Sequence, residues 1–363
     1  METGVSYFSA RDLRHVQSDL EEIVGHGCTY IVHCYTETDM LWNRGTIERI
    51  FRTTRDAGLG VWADPWGVAG IFSGETLSRF AADHLDAWQQ LSDGRRVPVA
   101  CPSHPETRGF IKRWVQVAAE AGAEVAFWDE PHLYASAWAG DFSGAWSCHC
   151  SHCAELLSQH GGGTLHEEFD AGMMAFRETV LLDFLAGVCA AGRQAGLRNA
   201  LCLLPSAFER HGFPAVAEGM RSGLAGRVPA DKLEQVIAPL LHFGIDDWDK
   251  AAAIPDLDIF GTDPYWFLFD VEPERFMRSY SERAIETANA HGRESQLWLQ
   301  AFRVPEGREE ELRMGAAVAA ELGADSVAAW SYRGTESMSK IACARPQVVW
   351  GVLGEAFRTL RRA

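Results

Sequence analysis

The chain has 363 residues, 47% of them hydrophobic, and a formal charge of -17. That excess of acid argues against nucleic acid or an anionic membrane as a partner, since both are held by clustered Lys and Arg. The opening METGVSYFSARDLRHVQ lacks a basic segment followed by an apolar run, and no apolar stretch approaches roughly 18 residues, so a cytoplasmic protein with no membrane partner is expected.

Short β-rich runs alternate with longer amphipathic segments. Residues 5–9 predict a first strand, followed by a helix over 12–24 in which Leu13, Val16, Leu20 and Ile23 share a face. Residues 28–37 predict the second strand, with a helix over 46–57, and GVWADPWG (60–67) the third, with a long helix over 75–91 and another over 108–121. AEVAFWDEP (123–131) reads as the fourth strand, ending at Asp129, Glu130 and Pro131. Helical periodicity covers 167–195, and 199–208 reads as the fifth strand. The sixth strand spans 257–267 with a helix over 273–290, the seventh 296–302 with a helix over 309–322, and the eighth 326–332 with a last helix over 347–360. Eight strand and helix pairs with near-continuous apolar strands predict an α/β fold, a single (β/α)8 TIM barrel over 1–363 with extended βα loops. Its main excursions are a cysteine-rich loop at about 132–160 and an insertion at about 209–250; an open doubly wound sheet is the alternative.

In such a barrel chemistry belongs at the C-terminal ends of the strands. There the sequence offers Glu37, Asp64 and Trp66, Asp129 and Glu130, Asp263, Tyr265 and Trp266, and Trp330 and Tyr332. Carboxylates hydrogen-bond hydroxyls and move protons, and indole faces pack on sugar rings, so this acidic, aromatic mouth suits a carbohydrate. Trp62, Trp128 and Trp298 lie inside strands and read as core. Five of the nine cysteines sit singly in apolar segments, as reduced core thiols do. The other four are Cys101 and the Cys148, Cys150 and Cys153 of CHCSHC. Four thiolates satisfy tetrahedral Zn2+ in a closed, structural site, with His149 or His152 able to replace one of them.

FWDEPHLY at the end of the fourth strand resembles the Asn-Glu-Pro signature of clan A glycoside hydrolases, with Asp129 where the clan commonly has Asn. The nearer resemblance is to family 42 β-galactosidases, through Cys101 in ACPSHPETRGF and the CHCSHC cluster. It implies a hydrolase of O-glycosidic bonds with Glu130 as general acid/base, a structural zinc on Cys101, Cys148, Cys150 and Cys153, and a homo-oligomer as an open expectation. The alternative gives the mouth to Asp129 and leaves Glu130 to a cap or ion pair. Clan A enzymes carry a nucleophilic Glu on the seventh strand, where this chain has Leu299 and Gln300, and Gln300 can only hydrogen-bond substrate. Asp263 is the favoured second carboxylate, ahead of Glu336 or a nucleophile supplied by the substrate. Asp64, Trp66, Tyr265, Trp266, Gln300 and Trp330 are expected to contact the sugar. The competing function is a carbohydrate-binding pseudoenzyme of the same fold; a zinc-dependent hydrolase is weaker.

Overall fold

Strands such as Tyr30–Cys34, Val125–Asp129 and Ser326–Trp330 are buried at every position. Both faces must then be covered: alternate side chains turn into a barrel and out toward helices. A computed structural model describes the chain except residues 9, 137–139, 160–162, 206–213, 243, 270 and 363. Its strands are β1 (Glu2–Tyr7), β2 (Tyr30–Cys34), β3 (Gly60–Asp64), β4 (Trp88–Gln90), β5 (Arg96–Ala100), β6 (Val125–Asp129), β7 (Arg198–Leu203), β8 (Ile259–Thr262), β9 (Glu294–Gln300) and β10 (Ser326–Trp330). All but β4 and β5 form a closed barrel in the order β1-β10-β9-β8-β7-β6-β3-β2, with every pairing parallel. The fold is the (β/α)8 barrel expected from the sequence.

The barrel interior is aromatic. Tyr30 stacks on Trp62 at 4.3 Å between ring centroids, Phe127 lies 5.0 Å from Trp298, and Trp298 leads on to Trp330 at the mouth. Residues of the opposite parity join the helix layer, where Trp114, Trp128, Trp248, Trp266 and Trp350 are buried. His33 belongs there, hydrogen-bonded to Thr54 Oγ1 at 3.0 Å, and burial pushes its pKa down to about 3.

The helix Pro273–Ala290 matches its expected limits because Pro273 fixes its first turn and the Glu272 carboxylate accepts from the Glu274 and Arg275 amides. Elsewhere local chemistry moves the boundaries. Thr36 and Asp39 form a capping box, so Glu37 opens the helix Glu37–Trp42 and does not end β2. Its carboxylate accepts from Ala69 N, Ser78 Oγ and Phe80 N at 2.7–2.8 Å, lashing this loop to the one after β3.

The long helix over 75–91 is not formed. A short helix, Arg79–Asp83, is followed by the antiparallel hairpin β4–β5. The reason is non-local: the buried Gln89 amide donates to Ala100 O at 3.0 Å and accepts from Tyr134 N at 3.0 Å and Ser147 Oγ at 2.5 Å. One side chain therefore joins the hairpin to both limbs of the loop after β6. The expected ends of the first and fifth strands, at 9 and 206–208, the start of the 209–250 insertion and part of the 132–160 loop lie outside the described residues. The insertion's described part carries the helices Pro214–Leu224, Leu233–Leu241 and Trp248–Ala252. Among the described residues no helix is long and apolar enough to cross a membrane.

Candidate active site and metal centre

Asp64 and Asp129 end β3 and β6 on the inward parity, in register with Cys34 and Cys202 of the neighbouring strands. Asp263 lies just past β8, and Asp64 and Asp263 are 0% and 1% exposed. Consecutive strand residues face opposite sides, yet Glu130 as well as Asp129 reaches the mouth. The chain manages this by leaving β6 at Glu130 with φ +41°, a left-handed conformation uncommon for a residue with a side chain. Neighbouring segments hold that turn. Glu130 N donates to Cys202 O at 3.0 Å, the His132 ring bonds Glu130 O at 2.7 Å, and Ser73 N donates to Asp129 O at 3.2 Å. The Ser73 hydroxyl donates to Glu130 Oε2.

The carboxyls perturb one another. Burial first, then the charges of Glu130 and Glu75, push Asp64 well above the usual carboxylate range, against the opposing hydrogen bond from the Cys34 thiol at 3.5 Å. Asp129 is raised by burial and then by Asp64, Glu130 and Glu75; Asp263 is raised by burial and then by Glu130. Glu75 is raised by burial and, to a lesser degree, by Glu130, with Arg303 opposing. Asp64 Oδ1 and both Asp263 oxygens have no fixed hydrogen-bond donor. Asp263 is nevertheless close enough to Glu130 for the charge of one to act on the other.

Trp66 lies against Phe8, with ring centroids 5.1 Å apart and planes at 18°, and 6.3 Å from Trp330. Tyr265 meets Phe302 edge-on at 5.0 Å, and the nearby charge of Asp263 adds to burial in raising its phenol. Trp66, Tyr265 and Trp330 thus belong to the aromatic cluster that runs from the barrel interior to the mouth.

Trp266 does not. It is fully buried in the helix layer, its Nε1 donates to Glu311 Oε2 at 2.9 Å, and its ring packs near Gly315 and the outward-facing Leu299. Adjacent residues diverge here, Tyr265 inward and Trp266 outward, and the sugar contact expected of Trp266 is corrected. Gln300 does occupy the inward end of β9. Its amide is committed to the loops, accepting from Phe267 N at 3.0 Å and donating to Phe302 O at 3.1 Å. Glu336 is held by Gln347 at 2.7 Å on the C-terminal helix, and Tyr332 donates to Asp19 and Glu22. Ser73 and Glu75 are the mouth residues that sequence reasoning missed; FSGETL carries no periodicity, and only the proximity of two loops gives it a role.

The Sγ atoms of Cys101, Cys148, Cys150 and Cys153 all lie within 4.8 Å of one another, with Cys101 3.4 Å from Cys150 and 3.5 Å from Cys153. Thiolates at about 2.3 Å from a tetrahedral ion would be roughly 3.8 Å apart, so the four could hold a metal ion. His149 and His152 are outside the group, against Trp146 and His104 respectively. Cys101 follows β5, and His149 N donates to Gln90 O of β4, so the cluster fastens the loop after β6 to the hairpin.

The architecture defines a (β/α)8 barrel with a buried, carboxyl-lined and aromatic mouth. No protein-family model and no curated protein matches the sequence. Solved glycoside hydrolases share the fold. A β-galactosidase from the psychrophilic Marinomonas ef1 superposes with a TM-score of 0.63 at 11% identity, over 99% of this chain and 60% of that one. A β-galactosidase from Bacillus circulans sp. alkalophilus gives 0.63 at 12% identity, over 100% and 56%. An endo-β-1,4-mannanase from Thermotoga petrophila gives 0.55 at 12% identity, over 99% and 76%. The chain therefore spans little more than half the length of either galactosidase, and the likeness at these identities is one of fold.

Proposed function

We propose that the protein is a glycosidase-like enzyme that cleaves an O-glycosidic bond, with Glu130 as general acid/base and Asp263 as the second carboxyl. The observation that carries this reading is the gathering of Asp64, Asp129, Glu130 and Asp263 at the C-terminal ends of β3, β6 and β8, where the aromatic cluster of Trp66, Trp330 and Tyr265 also ends. Burial keeps Asp263 protonated to higher pH, and Glu130 delivers a proton to the leaving oxygen. Asp263 serves as the second carboxyl beside Glu130, while Asp129 and Asp64 face the substrate hydroxyls and the positive charge that develops on the sugar. For the four thiols zinc is the ion we favour, as a closed thiolate set with a structural role that fixes the loops around the mouth.

A second reading, a carbohydrate-binding protein without turnover, is favoured by Gln300, whose locked amide leaves the mouth end of β9 with no carboxylate to offer. The two are separated by screening aryl glycosides and disaccharides with wild type, Glu130→Gln and Asp263→Asn. A loss of about 10²–10⁴-fold in Glu130→Gln supports the acid role. Unchanged turnover in that variant removes it, and sugar binding without turnover in wild type favours the second reading.

A further inference from the structure

Five carboxyls, Asp64, Asp129, Glu130, Asp263 and Glu75, influence one another in one mouth. The charges that act most on Asp64 and Asp129 are those of other carboxyls, while Arg303 opposes the rise of Glu75. Three oxygens, Asp64 Oδ1 and both of Asp263, are buried acceptors without a fixed donor. An acceptor left so is costly, the more so when charged, so three at one site call for a ligand rich in donors. An ammonium group brings three donors, no acceptor and a compensating charge. Trp66 and Trp330, 6.3 Å apart in the aromatic cluster that ends at this mouth, add the kind of rings against which ammonium groups pack.

Two further observations separate a cationic sugar from a bare cation. Among the described residues the four thiols are the only group of three or more ligands close enough for a metal ion, and the carboxyls, not gathered in that way, suit a larger, multi-atom cation. Trp66 Nε1 is a buried donor without a partner, and it has room only because residue 74 is glycine: a Cβ there would lie 2.6 Å from it. That donor needs an acceptor from the ligand, which a ring or hydroxyl oxygen provides.

We propose that the substrate is a sugar bearing a free amine, its ammonium group held by Asp64 and Asp263 and its ring oxygens turned toward Trp66 Nε1. This rests on the glycosidase reading of the mouth and goes beyond it in naming the substrate class. The test is titration calorimetry with 2-amino- and 6-amino-hexoses, their N-acetylated forms and the neutral parents, in the gluco and galacto series, together with turnover of the corresponding 4-nitrophenyl glycosides.

At least one amine should bind 10-fold or more tightly than both its acetylated and neutral counterparts, and Asp64→Asn and Asp263→Asn should each erase the preference. Circular dichroism and a melting curve verify that both variants are folded; the wild-type comparison of free with acetylated amine decides even if one is not. Amines bound no better than their neutral parents overturn the proposal. The two levels fail separately: turnover of neutral glycosides without an amine preference keeps the glycosidase and removes the amine, while amine-selective binding without turnover does the reverse.

Discussion

Replacing Asp263 by Asn should stabilise the protein, increasingly so as pH rises. The folded state holds the Asp263 proton to higher pH than the ordinary value of 3.8, because of burial and then Glu130. Between those two pKa values the native state binds more protons than the unfolded chain, so stability falls with rising pH, by about 1.4 kcal/mol per unit for one group. The loss begins near pH 3.8 and is complete above the folded pKa. Asparagine occupies nearly the same volume and does not titrate, so the variant lacks this slope.

For 363 residues the unfolding entropy is about 0.8 kcal/mol/K, so one pH unit should move the wild-type melting temperature about 2 °C further than that of the variant. The assay is thermal unfolding followed by circular dichroism from pH 4.5 to 8 for both proteins. Melting curves that run parallel across that range, or a variant that loses ground as pH rises, would refute the buried-acid argument. Burial raises Asp64 as it does Asp263, so Asp64→Asn should act in the same direction.

Other outcomes follow from the same geometry. Ser73→Ala removes the hydroxyl that donates to Glu130 Oε2 and should lower turnover by positioning that carboxyl less well, while Ser73→Thr largely restores it. Gln300→Ala leaves the Phe267 amide without its acceptor and should cost about 1–3 kcal/mol in denaturant titrations. Metal analysis of the purified protein should find about one equivalent of ion bound through four thiolates, lost in Cys148→Ser together with a lower melting temperature. Trp66→Ala should weaken sugar binding, whereas Trp266→Phe should leave it unchanged and lower stability through the lost bond to Glu311.

The sequence made the barrel legible wherever the signal was local. Strands buried on both faces announce themselves as apolar runs, and Pro273 with Glu272 marks a helix start within a residue. Asp64, Asp129, Glu130 and Asp263 could be found because they terminate such runs. What stayed hidden depends on partners far along the chain. Residues 75–91 have helix-like spacing, yet Trp88–Gln90 pairs with β5, and Gln89 finds hydrogen bonds at residues 100, 134 and 147. Trp266 differs from Tyr265 only in the direction it leaves the backbone after β8. Gln300 was visible as a missing carboxylate, but its role in holding residues 267 and 302 was not, because those loops meet only once the barrel has closed.

The pairing of β1 with β10 has a consequence for synthesis. Val5 finds one neighbour in Ile31 and the other in Ala329. At roughly 5–20 residues per second, one edge of the first strand waits on the order of tens of seconds on the ribosome for its second partner. During that time it presents unpaired amides and carbonyls beside an apolar surface, the kind of edge that recruits other chains. The yield of folded protein in a cell should therefore depend on translation speed and chaperone cover as much as on the stability of the finished barrel.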